Sequence, residues 1–179
     1  MTRDKNEVGT EHVWIREQGP GPLVLVRKSM LESWRGVNAP AGERSDYGRA
    51  CAIGEVGCVE LKGGSALVLG DDPLETTWLP KAQGGMFVRW IAADSEAAAL
   101  AATEAGADAT WTPTGCTFTT AGGVHVLFPA SVKGSDSSTG ASLSLELLEG
   151  DYNVTSAILE HDEATVLVYR LLWRPKARS

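Results

Sequence analysis

Residues 46–90 read DYGRACAIGEVGCVELKGGSALVLGDDPLETTWLPKAQGGMFVRW, and two apolar runs inside them decide the fold class. The runs at 58–62 and 65–69 are separated by Gly63 and Gly64, a two-residue hairpin composition suited to positive φ. With that turn, Leu61 faces Ala66 and Val59 faces Val68, which makes one apolar side. The other side pairs Glu60 with Leu67 and Cys58 with Leu69, so cover is expected on both faces. The hairpin ends in an acidic turn, GDDP at 70–73, and LETTWLP after it has loop composition. Residues 86–92 form a third strand.

Working outward, the clearest helix follows that strand. Asp94 is the expected N-cap, Glu96 lies in the first turn and Gly106 is the stop after an alanine-rich run at 95–105. Upstream, 12–16 and 22–26 read as short strands flanking the GPGP break at 19–22. Ser29 and Glu32 have capping-box spacing, which predicts a short helix over 29–35, and 37–46 has loop composition. Downstream the pattern is all β. Strands at 115–120 and 124–128 flank a second glycine pair, Gly122 and Gly123, with a further strand at 143–147. The last hairpin joins 152–159 to 165–173 through EHDE at 160–163. A four-residue loop there sets Val154 against Tyr169, Tyr152 against Leu171 and Ile158 against Thr165. Tyr152, Val154, Ile158, Leu167, Tyr169 and Leu171 then share a core face.

These signals predict an α+β fold, predominantly antiparallel β, with hairpins forming one or two packed sheets. One domain is expected over 11–175, with any seam at 111–115. Flexible ends are expected at 1–10 and 176–179. A chain of 179 residues, 43% hydrophobic, can bury the core such a fold needs. No apolar run is long enough for a spanning helix, and the polar start MTRDKNEVGTEH does not read as a secretory leader. The expected compartment is the cytoplasm. Three cysteines, Cys51, Cys58 and Cys116, match no zinc or redox spacing and read as reduced thiols.

Charge is unevenly spread. Residues 1–62 balance nine basic groups against nine acidic ones, whereas 63–169 carry three basic and fourteen acidic groups, a net of −11. Such a field disfavours nucleic acid and anionic membrane and favours a basic partner.

Catalytic readings find little. His12, His125 and His161 stand in unrelated contexts with no second histidine at ligand spacing. There is no nucleophile elbow and no phosphate-cradling loop. Asp71, Asp72 and Glu75 lack the spaced ligands of a calcium loop, so no metal and no cofactor are expected. A hydrolase with a dispersed site would need one of the histidines beside a nucleophile. Arg89 is the odd position, alternating with Phe87 and Ile91 on an otherwise apolar strand face. A buried guanidinium needs a partner, and Asp46, Asp71 or Asp72 are the natural candidates. Of six tryptophans, Trp90 on its strand reads as core and Trp78 as an interface ring.

Several blocks resemble the immunity protein 21 family of bacterial polymorphic toxin systems. They are SDYGRACAI (45–53), ALVLGDDPLETTWLP (66–80), GGMFVRWIAADSEAA (84–98), WTPTGCTF (111–118) and GDYNVTSAILEHDEATVLVYRL (150–171). The resemblance covers about 22–172. It implies a non-enzymatic cytoplasmic antidote that binds and neutralises a cognate toxin domain by direct contact. No catalytic residues carry over. Positions matching the family's motifs are Asp46, Tyr47, Arg49, Gly70, Asp72, Pro73, Thr76, Trp78, Arg89 and Trp90. From the acidity, the expected toxin is a basic one such as a nuclease, met by Asp71, Asp72, Glu75 and Trp78. The alternative from another class is a small-molecule or nucleotide-binding β module anchored by Arg89.

Overall fold

Alternation in the last two strands places Tyr152, Val154, Tyr169 and Leu171 on one face, and in the computed structural model all four are buried in one core. The structure describes residues 11–16, 19–70 and 72–176. The head expected at 1–10, the last three residues of the tail expected at 176–179, and Asp71 lie outside them.

Eleven strands are described, in two antiparallel sheets. The six-stranded sheet has the order β1 (Trp14–Ile15), β5 (Thr76–Lys81), β6 (Gly84–Ala92), β11 (Ala164–Arg174), β10 (Gly150–His161), β7 (Thr112–Thr120). The five-stranded sheet has the order β3 (Val56–Leu61), β4 (Gly64–Leu69), β2 (Leu23–Arg27), β8 (Gly123–Pro129), β9 (Leu143–Leu147). Mostly antiparallel β with few short helices is what the residue pattern predicts.

The central core lies between the sheets and joins Leu23, Leu25, Leu67, Leu69 and Leu127 to Phe87, Phe118 and the four residues above. A second layer covers the outer side of the five-stranded sheet. There Trp34, 1% exposed, donates its indole N–H to the Ala130 carbonyl at 2.9 Å. A third lies under α2 (Glu96–Ala105), whose Ala99 and Ala102 pack on Val88, Leu159, Val166 and Val168. Small side chains let this helix lie close on the sheet. Its N-cap is Ser95, whose hydroxyl accepts from the Ala98 N–H at 3.1 Å, one residue later than the expected Asp94. Gly106 closes it as expected.

Both hairpins form with registers two residues from those expected. Lys62 and Gly63 make the first turn, with Gly63 at φ 94, so Val59 opposes Ala66 and Leu61 opposes Gly64. At the second, Glu160 and His161 stay in the ladder opposite Thr165 and Ala164. The turn is Asp162–Glu163, and Asp162 takes φ 52, a left-handed conformation that aspartate tolerates better than most residues. Shifting by two preserves the faces, so Tyr152, Val154, Tyr169 and Leu171 are core as predicted, Leu167 packs on them partly buried, and Ile158 is 64% exposed.

Other expectations are corrected. Gly122 and Gly123 do not close a hairpin: β7 and β8 belong to different sheets, so this turn crosses the sandwich. Residues 76–81, expected as loop, form a full strand paired to β6. The short helix is a 3-10 turn, Lys28–Ser33, with no side-chain cap, so Ser29 makes no capping box. Trp90 is only partly buried, edge-on to Trp14 at 5.5 Å; Trp34 is the deeper ring.

His125 is fully buried on β8. Its Nδ1 sits 2.9 Å from the Gly123 carbonyl, an acceptor, so that nitrogen carries the proton. Nε2 then accepts from the Thr120 hydroxyl at 2.9 Å, and that oxygen accepts from the Gly122 N–H at 3.1 Å. Burial holds the imidazole below its usual pKa, and the chain of bonds is complete with a neutral ring. Its role is structural. A depressed folded pKa gives stability that is present above the unfolded value near 6.5 and lost as pH falls.

Two measurements check this arrangement. Phe87→Ala empties a site that is 0% exposed and is expected to cost about 3–5 kcal/mol in urea denaturation, whereas Ile158→Ala should stay within about 0.5 kcal/mol. Unfolding midpoints of the wild-type chain should fall below pH 6.5 more steeply than those of His125→Gln.

Candidate functional site

The candidate interface residues lie around the loop between β4 and β5. Gly70 ends β4 with φ 45, and a Cβ there would come within 2.5 Å of Arg89 Nη1. The glycine is therefore required twice, by backbone conformation and by the guanidinium beside it.

Arg89 is 1% exposed. Its Nη2 donates to the Asp72 backbone carbonyl at 2.6 Å, and its Nε to the Thr76 hydroxyl at 3.3 Å. It also hydrogen-bonds the Tyr169 hydroxyl, which donates to the Glu55 carbonyl at 3.4 Å. Thr76 in turn donates to the Leu74 carbonyl at 2.8 Å, and the Leu74 N–H donates to Asp72 O at 2.8 Å. One side chain thus ties the acidic loop to β5, β6 and β11. Burial lowers the Arg89 pKa, opposed by Tyr169 and by the Asp72 charge. Burial pushes Tyr169 up to about 12, helped by Glu55 and opposed by Arg89.

Of the partners expected for Arg89, Asp71 lies outside the described residues. Among the described residues no carboxylate forms a salt bridge with it; Asp72 supplies a carbonyl instead. Asp46 is committed elsewhere. As the first residue of α1 (Asp46–Cys51), it is 6% exposed, accepts the Arg35 N–H at 2.7 Å and pairs with Arg49 at 3.1 Å. Arg49 also donates to the Glu60 carbonyl at 2.6 Å, and the Tyr47 ring packs over Gly21. Asp46, Tyr47 and Arg49 therefore latch α1 onto β3 and the segment before β2. Loop composition hid this helix, though Ser45 caps it by accepting the Gly48 N–H at 3.0 Å.

The three described interface candidates, Asp72, Glu75 and Trp78, do not gather on one patch. Asp71 lies outside the described residues. The Asp72 side chain is exposed. Glu75 pairs with Arg16 at 2.7 Å, and Arg16 also pairs with Glu96 in the first turn of α2, so Glu75 belongs to the outer, helix-covered side of the sheet. Trp78 turns the other way, its ring 4.6 Å from Phe87 and against Gly85. Far from being a loop residue, it is a strand residue at the sandwich edge.

There it lines a cleft of about 740 Å³. Leu79, Met86, Leu100, Trp111 and Leu172 supply apolar wall, with Arg170, Lys81 and Glu104 as charged members. The Arg170 guanidinium stacks 4.1 Å over the Trp111 ring, whose buried indole N–H has no partner. These residues escaped the sequence reading. Arg170 interrupts the apolar alternation Val166, Val168, Leu172 much as Arg89 interrupts its own strand, and that was the available signal.

His12 borders the cleft, His125 is sealed in its bond chain, and His161 sits at an exposed tip near Asp162 at 3.5 Å. Among the described residues no three His, Cys, Asp or Glu side chains cluster for a metal, and no helix is long and apolar enough to cross a membrane. The reading of Arg89 as a ligand anchor fails, because its bonds are taken by protein acceptors in a sealed site.

The site is thus an aromatic-walled cleft on a β sandwich, next to a loop whose Asp72 carbonyl accepts from Arg89. The family model for immunity protein 21 matches residues 13–165, and the chain belongs to that family. No curated protein and no solved structure matches it.

Gly70→Ala should lower stability by about 2–4 kcal/mol, from strain at positive φ together with displacement of the guanidinium. At high pH the sign follows from Tyr169: a raised folded pKa gives stability that is complete below the unfolded value near 10 and lost towards 12. Urea midpoints should decline over that window and decline less for Tyr169→Phe.

Proposed function

We propose that this protein is the antidote to a cognate bacterial toxin domain, acting in the cytoplasm by direct contact without catalysis. The observation that carries the reading is the family match across residues 13–165. Immunity is the family's role, and neutralisation by binding needs surface, not a reactive centre.

Contact is made by two separate features, the exposed Asp72 side chain of the acidic loop and the Trp78 cleft. Loop residues Asp71, Asp72 and Glu75 belong to a segment, 63–169, with a net charge of −11. That field suits a basic toxin, and a nuclease fits because its substrate groove is built for phosphate. Charge speeds the encounter; apolar anchors hold the complex. Trp78 and Trp111 are the ring types that dominate such interfaces, and the cleft offers them a concave wall. Arg89, Gly70 and Thr76 act beneath the loop as its supports.

The test is co-expression with the toxin encoded beside this gene, followed by copurification and kinetics. Asp72→Lys with Glu75→Lys should slow association about tenfold or more at low salt, and the difference should shrink at high salt. Trp78→Ala should instead speed dissociation, with folding checked by the unfolding midpoint. A neighbour that is harmless, or that the chain leaves active, contradicts the reading.

A further inference from the structure

Cys58 and Cys116 lie far apart in sequence and play no part in the function proposed above. The fold brings them together. Cys58 is on β3, the edge strand of the five-stranded sheet, and Cys116 is on β7, the edge strand of the other. Their sulfurs are 3.7 Å apart across the sandwich. We propose that this pair is a reversible redox clasp, closed by thiol–disulfide exchange with a small-molecule disulfide such as oxidised glutathione.

Three features support it. Bond formation needs an S–S distance of about 2.05 Å, so the sulfurs must approach by roughly 1.7 Å. The backbone beside Cys116 allows this, because the β7–β10 ladder shifts register between Asn153 and Thr155 and leaves the segment around Cys116 in a bulge. Gly115 at φ 77 and Gly57 flank the two cysteines. Second, both thiols are partly exposed in a shallow opening of about 320 Å³ lined by Val56, Thr114 and Thr117, so a small oxidant reaches them. Third, Cys58 Sγ donates to the Thr117 carbonyl at 3.7 Å, which keeps the proton on Cys58 and leaves Cys116 the thiolate of the pair.

The order of events follows from that asymmetry. Cys116 thiolate attacks one sulfur of the small disulfide, whose S–S bond breaks and releases one thiolate. A mixed disulfide forms at Cys116. The Cys116 charge that held the Cys58 proton is then gone, so Cys58 loses it to solvent and attacks the Cys116 sulfur. The second small thiolate leaves. Two protein thiols are oxidised to one disulfide, and one small disulfide is reduced to two thiols. The product staples edge to edge and closes the chain between 58 and 116, which disfavours the unfolded state.

The experiment uses the full chain with Cys51→Ser, which removes the exposed third thiol. The folded protein is equilibrated with oxidised and reduced glutathione, alkylated and peptide-mapped, and its Tm is measured. The expected result is a Cys58–Cys116 link, little stable glutathione adduct, and a Tm rise of about 5–10 °C that added reductant reverses. Adding Cys58→Ala should trap glutathione on Cys116 and abolish the rise. Stable adducts on both cysteines, persistent free thiols, or a link that forms only under denaturant would each overturn the proposal.

Discussion

The structure depends on placing one charge where water cannot reach it. Arg89 sits in a strand whose neighbours build the core, and its guanidinium is satisfied by a loop carbonyl, a threonine hydroxyl and a tyrosine. Leaving those donors unpaired in the interior would cost several kcal/mol, so the loop must come to the arginine. Loop position, the glycine at 70 and the partnership between β6 and β11 then follow together. Removing any one member strands the others.

The supporting residues have a physical division of labour. Gly70, Thr76 and Arg89 fix the acidic loop from below, while Asp46, Tyr47 and Arg49 do the same for α1 against β3. Neither group offers much to a partner directly. What faces outward is the Asp72 side chain, the cleft beside Trp78, and the aromatic–guanidinium stack of Trp111 and Arg170.

Much of the fold was legible because its strands alternate cleanly. Tyr152 to Leu171 gave the right faces even with the register two residues off, since a shift of two leaves each side chain on its own side. Exact register was hidden in Asp162, whose left-handed backbone tightened the turn in a way composition does not show. Residues 76–81 looked like loop because Thr, Trp and Pro alternate without a run of aliphatics, yet pairing with β6 is what makes them a strand. The glycines at 122 and 123 signalled a turn correctly but could not say that it crosses between sheets. Arg89 was flagged by its apolar company, and its need for a partner was right. The partner proved to be a main-chain oxygen, which has no sequence signature. The cleft was invisible because its walls come from five separated stretches, 11–13, 77–86, 100–111, 143–144 and 170–172, that only the topology joins.

The central claim is that a loop held by Arg89, and the cleft at the same sheet, form the face that meets the toxin. Hydrogen exchange of the chain alone and bound to its toxin tests this most directly. The account predicts slowed exchange at residues 72–86 and around Trp111 and Arg170 on binding, with β3 and β8 unchanged. Slowed exchange confined to β3, β8 and β9, with 72–86 unaffected, would contradict it.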